Sequence, residues 1–277
     1  MALCALPCLI FAVGSALGAG GLKYPSKQSN VSNAEPGRTN ATAKCPGTKH
    51  PTGGGVEVNG SDLELEVGST LPTGGHDGWR GGANNSSTFS TQMTTTAICG
   101  GGAYVYKTAK KKVAVGHAEQ KKTGCPKGTR VVGGGVGAAG DHGVEVGATK
   151  PADGGDKDSK ADDAWLGRES NSSSKRTVMK VTAVCAKRGQ FAYVRGSRAV
   201  VPNNTMGSVS ASCPASTQVS GGGIDVSGKS TDIEVGDSFP SDNGDPGTTP
   251  DNGWTATGNN DGSGGSTHAR AFAICLK

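Results

Sequence analysis

A pair of cysteines recurs three times in this chain at nearly fixed separation, and no other feature constrains the fold as strongly. Cys45, Cys125 and Cys213 are each followed by proline, and each stands eight residues before a Gly-Gly-Gly that begins at Gly53, Gly133 or Gly221. Trp79, Trp165 and Trp254 fall 20, 20 and 21 residues before Cys99, Cys185 and Cys275. Between these landmarks each unit carries a Glu-Val-Gly (Glu66, Glu145, Glu234), a proline (Pro72, Pro151, Pro240), and an asparagine six residues after the tryptophan (Asn85, Asn171, Asn260). A period of this length describes three copies of a whole small module and not a solenoid. One cysteine pair per copy predicts three disulfides: Cys45 with Cys99, Cys125 with Cys185, and Cys213 with Cys275. There is no Cys-x-x-Cys and the five histidines are scattered, which argues against a zinc site.

Covalent staples suit this composition. Aromatic residues are 4% of the chain while glycine fills 47 positions, so each unit has few large side chains with which to build a core. On the chain-entropy view a bridge closing a loop of this size stabilises by about 4 kcal/mol, comparable with the whole stability of a marginal domain. A single tryptophan at one position of every unit then reads first as a core anchor. The alternative is a solvent-facing platform for a sugar ring, which makes Trp79, Trp165 and Trp254 candidate ligand-binding residues.

The local pattern is β throughout. Val56 and Val58, Leu63, Leu65 and Val67, Val144 and Val146, Ile224 and Val226, and Ile233 and Val235 alternate with polar or small residues, the period of a half-buried strand. Met93, Thr95 and Ala97 share a face with Cys99, as Met179, Val181 and Ala183 do with Cys185. Glycine and proline break the chain between such runs, and the missing side chains of Gly-Gly-Gly suit a bulge or a close backbone approach around the tryptophan. Tyr24, Tyr104 and Tyr193 stand 21, 21 and 20 residues before the first cysteines, so the units abut without linkers. The expected organisation is a leader over 1–21 and β modules over 22–101, 102–188 and 189–277. Each module holds five or six short strands, as a small antiparallel sandwich or barrel. A single threefold β-prism, in which each repeat supplies one sheet, is the alternative architecture.

The residues Cys-Pro-x-Gly-Thr (Cys125 to Thr129), Gly-Gly-Gly-Val, Gly-Trp (Gly78-Trp79, Gly253-Trp254), Asn-x-Ser (Asn85, Asn171) and Ala-Val-Cys or Ala-Ile-Cys resemble a widespread group of secreted actinobacterial repeat proteins. The resemblance covers residues 22 to 277. It implies export and β-rich modules and implies no reaction. The first unit has one residue fewer after its cysteine, and the third reads Cys-Pro-Ala-Ser-Thr. Cys-Pro opening and Cys closing three β units is also similar to the vitelline membrane outer layer prism proteins, a likeness that bears on architecture alone.

Residues 1 to 22 carry no charge, and the apolar run Leu3 to Val13 ends in small residues from Gly14 to Gly21, the form of a secretory leader. Cys4 and Cys8 fall inside it, leaving two cysteines per unit for an oxidising, extracellular or cell-surface location. Nothing after the leader approaches the apolar length of a membrane span, so the processed chain is expected to be free of the membrane.

No nucleophile, base and orienting group share a spacing. The glycine tracts lack the Lys-Ser/Thr ending and following helix of a phosphate loop. The expectation is a non-enzymatic protein with no catalytic residues and no cofactor, serving structure or adhesion. Carbohydrate or wall-polymer binding is the alternative, and a secreted hydrolase is a remote third. Two charged stretches offer binding chemistry. From Lys107 to Arg130 eight basic residues face only Glu119, a local excess of +7 in a chain whose net charge is +5. Lys110, Lys111 and Lys112 at its centre are candidate ligands for an anionic wall polymer or glycan, or else lysines that guard an edge strand. No aromatic residue lies among them to stack a base, so specific nucleic-acid recognition is not expected. Asp153, Asp156, Asp158 and Asp162 concentrate oxygen ligands in one loop, as calcium prefers, although the EF-hand spacing is absent. Asn-x-Ser/Thr sequons begin at Asn30, Asn40, Asn59, Asn84, Asn85, Asn171 and Asn203.

Overall fold

The computed structural model describes residues 21–33, 38–138, 142–156, 158–187, 189–228, 230–242 and 247–277; the predicted leader, up to residue 20, lies outside them. The first unit forms β1 (Ser26–Val31), β2 (Thr39–Lys44), β3 (His50–Val58), β4 (Leu65–Pro72), β5 (Gly78–Asn85) and β6 (Thr91–Gly100). The second forms β7 (Tyr104–Val113), β8 (His117–Gly124), β9 (Arg130–Ala138), β10 (Val144–Ala152), β11 (Ala164–Asn171) and β12 (Thr177–Ala186). The third forms β13 (Phe191–Arg195), β14 (Ala199–Val201), β15 (Thr205–Ser212), β16 (Gln218–Ser227), β17 (Ile233–Ser241), β18 (Gly253–Asn260) and β19 (Thr267–Leu276).

The fold is all-β and every pairing is antiparallel, as the alternating pattern requires. No unit closes a sandwich or barrel of its own. Sheet A runs β1-β6-β3-β17-β18-β15, sheet B runs β2-β5-β4-β9-β12-β7, and sheet C runs β13-β19-β16-β10-β11-β8 with β14 beside β19. Each unit therefore divides its strands between two sheets, and each sheet joins halves of two units. Three sheets for three units match the count expected of a threefold prism, but the expectation that each repeat supplies one sheet is corrected: every sheet is shared between two repeats. The physical reason is the shortage of large side chains: the main apolar cluster draws members from all three units, Val56 and Met93, Val136 and Met179, Ile224 and Ile274 among them, with smaller clusters around Trp79 and around Val132. The boundaries read from sequence fall between β6 and β7 and between β12 and β13.

The glycine triplets make the closure possible. A side chain on Gly53 would strike the backbone of Ser220 and Gly221, one on Gly133 that of Thr52 and Gly53, and one on Gly221 that of Val132 and Gly133. The three strands thus meet backbone to backbone in a ring. The middle glycines, Gly54, Gly134 and Gly222, lie against the indoles of Trp79, Trp165 and Trp254 in their own units. Hydroxyls extend the ring, since Thr52 Oγ1 donates to the Ser220 carbonyl at 2.8 Å and Ser220 Oγ to that of Val132 at 3.1 Å.

Tyrosines strap the units to one another around the ring, the first to the third, the second to the first and the third to the second. The Tyr24 hydroxyl donates to the Val219 carbonyl at 2.8 Å, that of Tyr193 to Val131 at 2.8 Å, and that of Tyr106 to Pro51 at 2.9 Å. Spacing had matched Tyr104 to the other two; Tyr106, two residues further along the same face, makes the bond. The recurrent asparagines tie the end of each tryptophan-bearing strand to an early strand of the same unit, β1, β7 or β14. Asn85 Nδ2 donates to the Val31 carbonyl, Asn171 to that of Val113 and Asn260 to that of Val201, at 3.2, 3.2 and 3.0 Å. Their sequons read accordingly as local turns: Asn85 Oδ1 accepts from Ser87 and Asn171 Oδ1 from Ser173. Asn84, Asn85 and Asn171 are buried, so the folded chain offers none of the three to a glycosylating enzyme.

Cys45 is joined to Cys99, Cys125 to Cys185, and Cys213 to Cys275. Three intramolecular disulfides suit an oxidising compartment.

Candidate functional site

The three tryptophans are enclosed, with exposures of 0%, 0% and 1%. Each indole Nε1 donates to a hydroxyl at one position of the Glu-Val-Gly strand, Thr70, Thr149 or Ser238, at 2.8, 3.0 and 3.0 Å. With its ring on glycine and its one polar atom satisfied, none presents a face to a ligand. The platform reading of Trp79, Trp165 and Trp254 is corrected to core anchor.

The acidic loop forms two groups, not one. Carboxylate oxygens of Asp153, Asp156 and Asp163 lie within 4.8 Å of one another, and so do those of Asp156, Asp158 and Asp162. Asp163, the last aspartate of the same acidic stretch, belongs to the first, so the set Asp153, Asp156, Asp158 and Asp162 is divided. One oxygen of each of three aspartates serves the loop itself: Asp153 accepts from the Gly155 amide, Asp156 from that of Asp158, and Asp158 from that of Lys160, at 2.6, 2.9 and 2.8 Å. Asp162 is buried and paired with Arg130. The arrangement is a network of Asx turns closed by an ion pair.

The lysine run divides by strand alternation. Its lysines from Lys107 to Lys122 lie on β7 and β8, which are edge strands of sheets B and C. Lys111 turns away from its neighbours and pairs with Glu119 on β8 at 2.6 Å. Lys110 shares the outer face with Thr108 and Lys112, and stands directly opposite Lys180 of β12. Sequence reasoning missed Lys180 because it lies 70 positions from Lys110; only the pairing of β7 with β12 brings them together.

Lys110 and Lys180 line a groove of about 470 Å³ across the outer face of sheet B, with Arg80 of β5 and His76 of the β4–β5 turn. The wall also holds Thr73, Thr108 and Thr182, and the Thr108 and Thr182 hydroxyls are 2.9 Å apart. No carboxylate lines it, and Lys110, Lys180 and Arg80 have no ion-pair partner among the described residues. His76 stacks on Tyr106 with ring centres 3.7 Å apart, and its φ of 53° shows a turn shaped around it. Partial burial and the nearby His50 hold His76 below the usual imidazole range. Asp77, beside it in sequence, is engaged by Lys44 and Thr73, which hold its carboxyl down to about 2. Cation and hydroxyl groups with no internal counter-charge can hold an anion; nothing in the set supplies a nucleophile with its base.

A second cluster lies where the three Glu-Val-Gly strands converge. Every Glu-Val-Gly glycine sits at a bulge, where the register shifts between Val67 and Ser69, Val146 and Ala148, and Val235 and Asp237. A planar polar group occupies the space a side chain would take there: the guanidinium of Arg38 over Gly68, that of Arg168 over Gly147, and the Asn259 amide over Gly236. These groups then bond the next unit. Arg38 and Asn84 donate to the Val144 carbonyl, Arg168 to those of Val226 and Ile233, and Asn259 to that of Leu65. Burial, and then mutual repulsion, pushes Glu66 up to about 9. Burial pushes Glu145 up to about 7, against the pull of Arg38 and Asn84. Burial and the charges of Asp261, Glu145 and Glu66 push Glu234 up to about 10. Glu169, fully enclosed, rises to about 8. At neutral pH Glu66, Glu169 and Glu234 therefore favour the protonated form, while Glu145 is poised near its midpoint. The cluster's sequence signal was an ionisable residue at one position of all three units, flanked by valine and a glycine.

No protein family and no curated protein matches this chain.

Proposed function

We propose that this is a secreted, non-enzymatic adhesive protein that holds an anionic polymer of a cell envelope or matrix in the groove on sheet B. The observation that carries the reading is Lys110 facing Lys180 beside Arg80, with no carboxylate among the described residues of the lining. Like charges directly opposite on neighbouring strands destabilise a sheet, so the fold alone does not favour the arrangement. A carboxylate, sulfate or phosphate bridging the two ammonium groups reverses the sign of the interaction. Lysine on an edge strand also blocks edge-to-edge pairing, which explains lysine on β7 but not Lys180 on the interior strand β12. Burial of all three tryptophans weighs against a neutral-sugar lectin, which depends on exposed aromatic faces. The apolar leader and the three disulfides support export.

Chromatography on heparin and on immobilised teichoic acid tests the reading. The wild-type chain is expected to bind and to elute with salt, and Lys110→Glu with Lys180→Glu to elute at markedly lower salt. Retention that ignores this pair of substitutions overturns the assignment.

A further inference from the structure

We propose that sheet C carries a second anion-binding groove, and that one polyanionic chain runs through both grooves around the corner between sheets B and C. The inference rests on the reading of sheet B just given. The second groove, of about 420 Å³, crosses the outer face of sheet C and is lined by Lys122, Lys150, Arg195, Arg198 and Arg270 around Phe272. Its carboxylates are Asp153 and Asp225. Asp225 faces Arg270 across the ladder yet gives its carboxylate to Lys150. Lys122 donates to the Asp153 backbone carbonyl at 2.6 Å. Arg195, Arg198 and Arg270 are left with no ion-pair partner among the described residues. Guanidinium groups bind carboxylate, sulfate or phosphate through paired N–H donors, so three of them on one face define an oxyanion site. An adjoining hollow of about 400 Å³ shares Pro151, Arg195 and Phe272 and adds Tyr193, giving the site a partly apolar floor. That combination fits a chain of sugar or polyol units carrying anions at intervals.

The two grooves are placed to act together. Arg270 stands five residues before Cys275, as Lys180 stands five before Cys185, so the same frame position supplies a cation on both faces. Groove B reaches the edge strand β7 at Lys110, and groove C reaches the edge strand β8 at Lys122. These strands are consecutive, and the Lys111–Glu119 ion pair spans them. Six strands at the usual spacing make a face roughly 24 Å across. A chain longer than that can leave one groove, turn the corner and enter the next, and the second contact is then made at high effective concentration.

Size-fractionated oligomers of heparin, of a polyuronate and of a phosphate-linked teichoic acid, titrated against the full chain, test this. Wild-type affinity is expected to step up by tenfold or more once the oligomer exceeds about one face in length. Arg195→Glu with Arg270→Glu should abolish the step and keep short-oligomer binding, while Lys110→Glu with Lys180→Glu should abolish the step and weaken the short oligomers. The milder pair Arg195→Gln and Arg270→Gln guards against misfolding, which a thermal melt would reveal. Whichever series shows the larger step identifies the anion as carboxylate, sulfate or phosphate. A step that persists without Arg195 and Arg270, or short-oligomer binding with no step at all, overturns the second groove and leaves the sheet B reading intact. No binding of any oligomer overturns both.

Discussion

On the outer face of sheet B, Lys110 stands opposite Lys180, whose other neighbour across the ladder is Gly137; on sheet A the corresponding positions hold Gln28, Thr94 and Glu57. The frames beneath are alike. Trp79 under sheet B and Trp254 under sheet A have the same glycine and hydroxyl partners, and Asn85 and Asn260 close the same turn. The tryptophans, the glycine triplets and the closing asparagines keep their identity from unit to unit, whereas side chains that face solvent vary in charge. That contrast separates what the fold needs from what it leaves free to vary, and it is why the proposed recognition is sought on the faces and not at the axis.

The largest effect tests whether the frames are equivalent. Trp79→Ala and Trp254→Ala should each destabilise the protein by about 3–5 kcal/mol, the usual cost of deleting a large enclosed aromatic. Because every sheet joins two units, each variant should still melt in one transition at lower temperature. Unequal costs, or an independent melt of one unit, would break the equivalence; a loss below about 1 kcal/mol, typical of surface positions, would remove the tryptophans from the core.

A second effect concerns the ring of glutamates, where sheets A and B are alike in charge. Glu66 and Glu234 rise to about 9 and 10 from an unfolded value near 4.3. Between those limits the folded state binds more protons than the unfolded one, so stability falls as pH rises. Each retained proton contributes a slope of about 1.4 kcal/mol per pH unit. Melts should therefore show greatest stability on the acid side, near pH 5, and a steady decline toward pH 9. Glu66→Gln together with Glu234→Gln should flatten that decline, and an unchanged slope would show that these carboxyls do not carry it.

Much of the frame was legible in the sequence because its parts recur. Equal spacing identified the cysteine pairs, the glycine triplets beside the tryptophans, and the asparagines, and alternation identified strands. Sharing of sheets between units was not legible as a choice over self-contained modules, since the β3–β17, β4–β9 and β10–β16 contacts join segments whose local patterns are satisfied by either arrangement. Arg38 and Arg168 escaped for another reason. They occupy different positions in their units and reach the same kind of place, a bulge glycine and the carbonyls of the next unit, so no spacing relates them. The lysine run was visible as charge, but strand alternation turns Lys111 away and the ladder recruits Lys180 from 70 positions further along. Local composition reports how much charge a segment holds; only the pairing shows which charges share a face.

The smallest expected effect is the most direct test of the comparison, because it gives sheet B the surface of sheet A. Lys110→Gln with Lys180→Thr installs the residues found at Gln28 and Thr94 and removes a like-charge pair. Cross-strand pairs of this kind contribute roughly 0.2–1 kcal/mol, so the variant should be slightly more stable than wild type at low salt. The gain should vanish near 1 M salt, where exposed charges are screened within about 3 Å, and retention on a polyanion should fall. The two readouts must move in opposite directions, stability up and binding down, if the lysines are held on this face for a ligand. Lower stability would show that the lysine stems pack against the sheet and serve the fold. Higher stability with undiminished retention would move the polymer site away from this groove. The reciprocal change, Gln28→Lys with Thr94→Lys, should do less for binding than two added charges suggest, because Glu57 faces Thr94 across the ladder and offers the new ammonium a carboxylate that groove B does not contain.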